Sequence, residues 1–267
     1  MPYHQGGVRP PGSGDLMTRG DPVVFLPGMM CDARLFAPQI AGLGRDRVVS
    51  AAPITQGERI EDIASGLLDH LPRRFALAGL SMGGIVAMDI LRRAPDRVTR
   101  IALMDTNPLA ETPQSSAGYE PLIAKLRAGM VADAVGMVLG RNVLAPGTGR
   151  AEVLAQVVEM AGALGSETLV RQVRALQRRR DYQAVLRRCQ VPALVLCGAA
   201  DGLTPPRRHE LMAGLIPGAD LCVIDEAGHL PVLERPAATT EALRAWLDGP
   251  QGPPGQATAR RRSAPYG

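Results

Sequence analysis

The chain alternates short apolar runs with longer segments in which apolar residues recur every three or four positions. The short runs are continuously apolar, which is typical of strands in a parallel sheet that is covered on both faces. The longer segments have the spacing of amphipathic helices. This alternation predicts a layered α/β fold with right-handed crossovers. The six predicted strands are residues 22–28, 47–53, 75–80, 98–106, 191–201 and 219–228.

Three helices are predicted between the first four strands, at residues 33–43, 59–71 and 83–93. The first of them should have Asp32 as its N-cap, because an aspartate side chain can accept N–H groups of the first turn.

One long segment interrupts the alternation of strands and helices. Residues 107–185 contain several helical patterns and no convincing strand. Such an insertion predicts a cap over the carboxyl ends of the strands, where open α/β sheets bind ligands. A helical extension that serves only stability is the alternative. We therefore expect an α/β core at residues 21–106 and 186–248, with a helical cap inserted between the two parts.

The charge of the chain lies in its two ends. Of the net charge of +4, residues 1–20 contribute +1 and residues 249–267 contribute +3, so the body between them is neutral. Both ends are rich in Gly and Pro, and we expect an N-terminal tail and a basic C-terminal tail that are disordered. A neutral body argues against a nucleic-acid partner.

The composition also bears on location and cofactors. Apolar residues make up 46% of the chain, but no apolar run is long enough for a transmembrane helix and the N-terminus lacks the apolar region of a secretory signal. The cysteines have neither metal-site spacing nor a disulfide framework, so a reducing cytoplasm is expected. They are Cys31, Cys189, Cys197 and Cys222.

A lone serine stands where the third predicted strand becomes a helix. Ser81 has Gly79 two residues before it and Gly83 two residues after it, the G-x-S-x-G spacing of a nucleophile elbow. The glycines let strand and helix approach closely, while the backbone of the serine is strained. A glycine-rich turn with an incidental serine is the alternative. A catalytic role requires a base, an acid and an oxyanion hole elsewhere in the chain.

The base must be one of four histidines. His4 lies in the N-terminal tail, His70 ends an amphipathic helix, and His209 stands beside two arginines and is expected at the surface. His229 directly follows the sixth strand, where the carboxyl end of a parallel strand can face Ser81. We therefore favour His229, with a structural loop histidine as the alternative.

Two aspartates compete for the role of the acid. Asp201 ends the fifth strand, and its loop can lie beside the loop of His229. Asp105, at the end of the fourth strand, is the rival, and either could instead stabilise a turn. We favour Asp201. Glu226 is close to the histidine in sequence but is expected to point into solvent.

An oxyanion hole uses backbone N–H groups, so residue types say little about it. In an elbow fold, the residue after the nucleophile supplies one amide, here Met82. We expect the second from Met29, in the loop after the first strand. Gly28, Met30 and Leu230 are candidates for the wall of the substrate pocket.

The chain resembles the α/β-hydrolase superfamily in the order Ser81, Asp201, His229 and in the three segments around these residues, from about Asp21 to Leu247. The segments are "GLSMGG", "GAADGLTP" and "GHLPVLERP". The resemblance implies a serine hydrolase that cleaves an ester, thioester or lactone of a small apolar acyl substrate through an acyl-enzyme. It implies no metal, no organic cofactor and no membrane partner.

Two features depart from that superfamily's pattern. Many relatives have His-Gly before the oxyanion residue, whereas this chain has Pro27-Gly28. Many also begin with a β-hairpin that this chain lacks, so we expect six strands, all or nearly all parallel. A serine at the elbow argues against dehalogenase and epoxide-hydrolase chemistry, which use a carboxylate nucleophile. An acyltransferase with the same triad, or a non-catalytic ligand receptor on this scaffold, are the alternatives.

Overall fold

The computed structural model describes residues 20–250 and, as a strand only, residues 260–263. Its centre is a parallel sheet in which the strands follow the order β2-β1-β3-β4-β5-β6-β7. The strands are β1 Val23–Leu26, β2 Val49–Ala51, β3 Phe75–Leu80, β4 Val98–Met104, β5 Ala193–Gly198, β6 Asp220–Ile224 and β7 Arg260–Ser263.

All six predicted strands are present, and the sheet has one strand more than predicted. β7 pairs in parallel with β6, from Asp220 opposite Arg260 to Val223 opposite Ser263. It lies in the tail for which we expected disorder, so that expectation is wrong for these four residues. The Arg-rich sequence of β7 has no apolar pattern, and edge strands need none. Residues 1–19 and the rest of the C-terminal tail lie outside the described residues.

Helices connect the strands and cover both faces of the sheet. The predicted helix at 33–43 is in fact a 3-10 turn, Ala33–Phe36, followed by α1, because Pro38 has no N–H for a continuous helical ladder. Asp32 caps the turn as predicted, with its side chain accepting the N–H of Arg34 at 2.9 Å. A second 3-10 turn is Pro95–Arg97. The α-helices are α1 Ala37–Leu43, α2 Ile60–Leu68, α3 Met82–Arg93, α4 Pro113–Ala117, α5 Glu120–Arg127, α6 Val131–Val138, α7 Arg150–Leu164, α8 Ser166–Gln177, α9 Gln183–Arg187, α10 Pro206–Leu215, α11 Pro231–Glu234 and α12 Pro236–Asp248.

The sheet is buried on both faces, as its continuously apolar strands predict. In β1, Val23 and Phe25 belong to one hydrophobic cluster, while Val24 and Leu26 belong to a second one on the opposite face. The first cluster continues into α12 and the helices that follow β4. The second contains the inner faces of α2, α3 and α10. Burial of both faces fixes the sheet as a rigid platform for the loops at its edge.

The strand order creates a switch point between β1 and β3. The chain leaves β1 to form β2 on one side, and then returns to form β3 on the other side. At such a point the loops after the two strands diverge and leave a crevice at the carboxyl ends. The loop after β1 and the turn after β3 both lie at this crevice.

The segment between β4 and β5 is helical. Residues 107–185 carry α4 to α8 and the start of α9, without a strand. Within residues 20–250 no single helix is long and apolar enough to cross a membrane. α7 and α8 meet this test only as a pair, and the pair is bent by 102°.

Candidate active site

Ser81 sits in a strained turn between β3 and α3. Its φ of 53° and ψ of −118° are values that residues other than glycine rarely adopt, at a cost of about 1–3 kcal/mol. A Cβ on Gly79 would lie 2.3 Å from the carbonyl oxygen of Gly83, and one on Gly83 would lie 2.1 Å from that of Leu26. The prediction that both glycines let the backbones of strand and helix approach closely is therefore confirmed.

The side chains of Ser81, His229 and Asp201 form a continuous hydrogen-bonded chain. His229 Nε2 lies 3.0 Å from Ser81 Oγ, and His229 Nδ1 lies 2.9 Å from Asp201 Oδ2. The histidine and the aspartate are both 3% exposed. The three residues come from three different loops at the carboxyl edge of the sheet. Ser81 follows β3, Asp201 follows β5 and His229 follows β6. This geometry is that of a nucleophile, a base and an orienting acid.

The loop after β5 holds Asp201 as a carboxylate. Its Oδ1 accepts the backbone N–H groups of Leu203 and Thr204 at 2.8 and 3.0 Å, and its Oδ2 accepts the hydroxyl of Thr204 at 2.6 Å. Burial raises the pKa of Asp201, but the charge of His229 and the hydrogen bonds from His229 and Thr204 outweigh it and lower the pKa to about 2. Asp201 is therefore ionised at neutral pH.

The rival acid, Asp105, lies beside this pair but is bonded differently. An oxygen of Asp105, one of Asp201 and a ring nitrogen of His229 all lie within 4.8 Å of one another. Asp105 Oδ1 accepts the N–H of Gly198 at 2.9 Å, and Asp105 is completely buried. Burial and then the charge of Asp201 raise the pKa of Asp105 well above its ordinary value. Burial and the neighbouring carboxylate therefore favour the neutral form of Asp105.

The other titratable candidates lie elsewhere. The expectation that His209 is at the surface is wrong, because it is completely buried. Its Nε2 accepts the N–H of Thr106 at 3.0 Å, and burial lowers its pKa to about 4, so it is neutral. Glu226 is exposed and pairs with Arg235. His70 is exposed, and His4 lies outside the described residues.

The two amides expected to form the oxyanion hole are free to donate. Among residues 20–250 neither Met29 N–H nor Met82 N–H has a hydrogen-bond partner. The next residue along, Met30, has a φ of 66°, and its N–H is accepted by the side chain of Gln172 at 3.0 Å. The same side chain donates to the carbonyl of Ile54 at 3.2 Å. A buried glutamine of α8 thus holds the loop after β1.

Glu234, for which the sequence suggested no role, anchors the loop of His229. Its carboxylate accepts the N–H groups of Gly228 and Leu230, the two neighbours of His229, at 3.0 and 2.9 Å. It also accepts the N–H of Ala145, from the segment between α6 and α7, at 2.7 Å. The N–H of His229 donates to the carbonyl of Val143 at 2.7 Å. The helical segment therefore fixes the backbone on which His229 stands.

Replacing Glu234 by alanine is expected to lower the free energy of unfolding by about 3 kcal/mol, because three N–H groups lose a charged acceptor. Turnover should fall as well, since His229 stands between two of these N–H groups. Urea denaturation measures the first effect. Glu241→Ala on α12, an exposed glutamate, is the control and should change stability by less than about 0.5 kcal/mol. Unchanged stability of Glu234→Ala would mean that water replaces the carboxylate.

A cavity of about 420 Å³ opens above Ser81 and His229. The predicted pocket residues Gly28, Met30 and Leu230 line it, and so does Met29. Most of the remaining wall is apolar and comes largely from the helices that follow β4. These apolar residues include Leu122, Met137, Val138, Leu139, Val157, Leu176 and Leu203. An apolar cavity of this size with a few polar groups is typical of a small-molecule site.

Comparison with known proteins gives consistent results. A pimeloyl-[acyl-carrier protein] methyl ester esterase of Aromatoleum aromaticum is 31% identical over 192 residues, which cover 68% of this chain and 77% of the relative. A putative carbamate hydrolase of Yersinia enterocolitica is 26% identical, covering 78% of this chain and 80% of the relative. Both relatives are hydrolases by name.

Solved structures match over most of the chain. A thermophilic esterase from Thermogutta terrifontis has a TM-score of 0.76 and 29% identity, covering 85% of this chain and 89% of that one. The enol-lactonase from Burkholderia xenovorans LB400 has a TM-score of 0.76 and 25% identity, covering 86% and 92%. The model of the alpha/beta hydrolase family matches residues 23–242. The chain therefore belongs to the alpha/beta hydrolase family.

Proposed function

We propose that this enzyme is a serine hydrolase that cleaves a carboxylic ester, thioester or lactone of a small, largely apolar substrate. One observation carries the proposal: Ser81 Oγ, His229 Nε2 and Asp201 Oδ2 are linked at 3.0 and 2.9 Å beneath an apolar cavity. Binding alone requires neither a buried histidine beside a serine nor a carboxylate behind it.

The reaction follows from the positions of these atoms. His229 Nε2 takes the proton of Ser81 Oγ as the oxygen attacks the carbonyl carbon of the substrate. The Asp201 carboxylate accepts a hydrogen bond from the Nδ1–H group of His229 and stabilises the imidazolium that forms. His229 then returns the proton to the leaving group, and an acyl-enzyme remains. Water enters and loses a proton to His229 as it attacks the acyl carbon, and His229 then gives this proton to Ser81 Oγ as the acid leaves. Protons and electrons balance without a metal or cofactor.

The amides of Met29 and Met82 are assigned to the negative charge of the tetrahedral intermediate. Both N–H groups lack a partner among the described residues. Met82 is the first residue of α3, so its N–H lies at the positive end of the helix dipole. Loss of one such donor costs about 3 kcal/mol of transition-state stabilisation in comparable enzymes.

The proposal also assigns separate roles to the α/β core and to the helical cap. Residues 21–106 and 186–248 form the core that holds the triad, and residues 107–185 form a cap that supplies most of the apolar cavity wall. The buried free cysteines agree with a cytoplasmic location, because no described residue needs an oxidising environment. The partner is a small acyl substrate, without nucleic acid or membrane.

The names of the relatives support a reaction in which an acyl group is transferred from an oxygen or a related atom of the substrate. Their names refer to a methyl ester, a carbamate and an enol lactone. All three contain a carbonyl with a leaving group, which suits a serine nucleophile. We extend only this shared feature to the present chain.

A hydrolysis screen with the purified full chain tests the proposal. We expect multiple turnovers of nitrophenyl and methyl esters and of simple lactones, with a dependence on acyl length set by the cavity. Addition of alcohols distinguishes an acyltransferase, which would form the new ester in preference to the free acid. Stoichiometric binding without turnover of any ester, together with no labelling of Ser81 by a phosphonylating reagent, would refute the enzyme and favour a receptor.

A further inference from the structure

The loop after β1 carries the amide of Met29 in a tight turn. The carbonyl of Gly28 accepts the N–H of Cys31 at 3.2 Å, so residues 28–31 form a hydrogen-bonded β-turn, which we call the oxyanion turn. Met30, in its third position, has a φ of 66°, whereas Met29, in its second position, has no positive φ. This combination is that of a type II turn, whose third position favours glycine. The oxyanion turn therefore places a methionine where a residue with a side chain is strained.

One side chain from a distant part of the chain holds this turn. The N–H of Met30 donates to Gln172 Oε1 at 3.0 Å, and Gln172 Nε2 donates to the carbonyl of Ile54 at 3.2 Å. Both bonds are buried, since Met30, Ile54 and Gln172 are each 1% exposed. Within residues 20–250, no other hydrogen bond joins residues 28–31 to a different segment. The hydrogen bonding of the oxyanion turn to the rest of the molecule therefore depends on a single glutamine.

Gln172 belongs to the helical segment between β4 and β5 and not to the sheet. It lies on the buried face of α8, whose other members include Leu169, Val173 and Leu176. Leu176, one turn further along the helix, lines the cavity above Ser81, but Gln172 does not. Any effect of Gln172 on the reaction must therefore pass through the oxyanion turn, because its side chain does not reach the substrate cavity.

The turn has a clear alternative when this glutamine is absent. The N–H of Met30 would then be a buried donor without an acceptor, in addition to the strain at its φ. Rotation of the peptide between Met29 and Met30 relieves the strain, because it converts the type II turn into a type I turn, whose third residue has a negative φ. The same rotation changes the ψ of Met29 and displaces the residue whose N–H is assigned to the oxyanion.

We propose that Gln172 is a positioning residue for the oxyanion hole, through which the cap holds the amide of Met29 in place for the reaction. The cap then contributes to stabilisation of the tetrahedral intermediate as well as to the wall of the cavity. This inference rests on the proposed hydrolase function and names a further residue on which the same reaction depends.

The test begins with Gln172→Met, which keeps the length of the side chain and removes both hydrogen bonds. We expect kcat for nitrophenyl acetate to fall by about 10- to 100-fold, less than the complete loss of one oxyanion donor, because the amide of Met29 is displaced and not removed. KM should change by less than about threefold, since Gln172 does not line the cavity. Acylation and deacylation both pass through an oxyanion, so kcat falls whichever step limits the rate.

Two inhibitors of the same shape separate the oxyanion hole from the cavity. An alkyl trifluoromethyl ketone forms a tetrahedral oxyanion adduct with Ser81, whereas the corresponding trifluoromethyl carbinol only occupies the cavity. In Gln172→Met, the inhibition constant of the ketone should rise by about the factor by which kcat/KM falls, because the adduct resembles the transition state. The inhibition constant of the carbinol should stay the same. A residue that served only the stability of the fold would not distinguish the two inhibitors.

Two further variants at the same position complete the test. Gln172→Leu removes the same hydrogen bonds and takes the place of Gln172→Met if that variant does not fold. Gln172→Glu keeps an oxygen that accepts the N–H of Met30 in either protonation state, and its neutral form also donates to the carbonyl of Ile54. It should keep kcat within about fivefold of the wild type. A loss as large as that of the apolar variants would mean that the acceptor for Met30 is not what matters, and the inference would be wrong.

The matched control is a second glutamine of α8. Gln177 Nε2 donates to the carbonyl of Ser116 at 2.8 Å, so Gln177 joins α8 to α4 and not to the oxyanion turn, and it does not line the cavity. Gln177→Met should keep the kcat and both inhibition constants of the wild type. Wild-type kcat in a folded apolar variant of Gln172, or equal changes for ketone and carbinol, would overturn this inference while leaving the hydrolase intact. Failure of the wild type to turn over esters and to form the ketone adduct would instead refute the proposed function.

Discussion

Replacing Ser81 by alanine is expected to reduce ester turnover to near background, a loss of up to about 10⁶-fold. In the proposed mechanism Ser81 Oγ bonds to the substrate carbonyl, and no other hydroxyl among the described residues is within hydrogen-bond distance of His229 Nε2. His229→Ala should cause a loss of similar size, because the hydroxyl then keeps its proton. The double variant should be hardly worse than either single variant, since the members of a triad act as a unit.

Controls separate these losses from unfolding. Thermal melting of each variant shows whether the fold is retained. Ser116→Ala, a serine of α4, and His70→Ala, an exposed histidine after α2, remove the same side-chain types elsewhere and should keep wild-type turnover. Full turnover of a folded Ser81→Ala variant would exclude the acyl-enzyme mechanism altogether.

The sequence was sufficient for the fold and for the central residues of the site because their signals are local. Continuous apolar runs predict the six strands that form the body of the sheet. The glycines around Ser81 predict a turn in which two backbone segments approach closely. A Cβ added to Gly79 or Gly83 would overlap the neighbouring backbone, which is why both positions are glycine. The positions of His229 and Asp201 directly after strands predict that they lie near Ser81, since all carboxyl ends of a parallel sheet meet at one edge.

The residues that hold the site in place had no such local signal. Gln172 bonds to Met30, 142 positions away, and Glu234 bonds to Ala145, 89 positions away. A glutamine on a helix and a glutamate at the end of a short helix are ordinary surface residues by sequence, and only the tertiary structure makes them acceptors of distant N–H groups. The prediction that His209 lies at the surface is wrong for the same reason, because its two neighbouring arginines indicate a solvated face that the tertiary structure buries.

The two candidates for the acid differ little in sequence, because both end a strand at the same edge. The structure explains the ambiguity: the carboxyl groups of Asp105 and Asp201 are close neighbours. Only Asp201 bonds to His229 Nδ1, and it receives three further hydrogen bonds from Leu203 and Thr204. Burial and the charge of Asp201 raise the pKa of Asp105, which favours its neutral form.

This difference predicts opposite outcomes for the same substitution. Asp201→Asn should lower turnover by about 10⁴-fold, because an amide can stabilise the wrong tautomer of His229 and cannot balance the imidazolium. Asp105→Asn should lower turnover by less than about tenfold, because an amide reproduces the neutral acid. Its oxygen can accept the N–H of Gly198, and asparagine tolerates the φ of 43° at this position.

Steady-state turnover of one good ester, with melting temperature as the check on folding, decides between the two acids. Asp96→Asn, in the 3-10 turn before β4 and not part of the cavity lining, controls for the loss of an aspartate charge and should match the wild type. If Asp105→Asn is inactive while Asp201→Asn stays close to wild type, Asp105 is the acid that orients His229. If both are inactive, the carboxyl group of Asp105 is itself required for turnover, and the prediction that an amide can replace it is wrong.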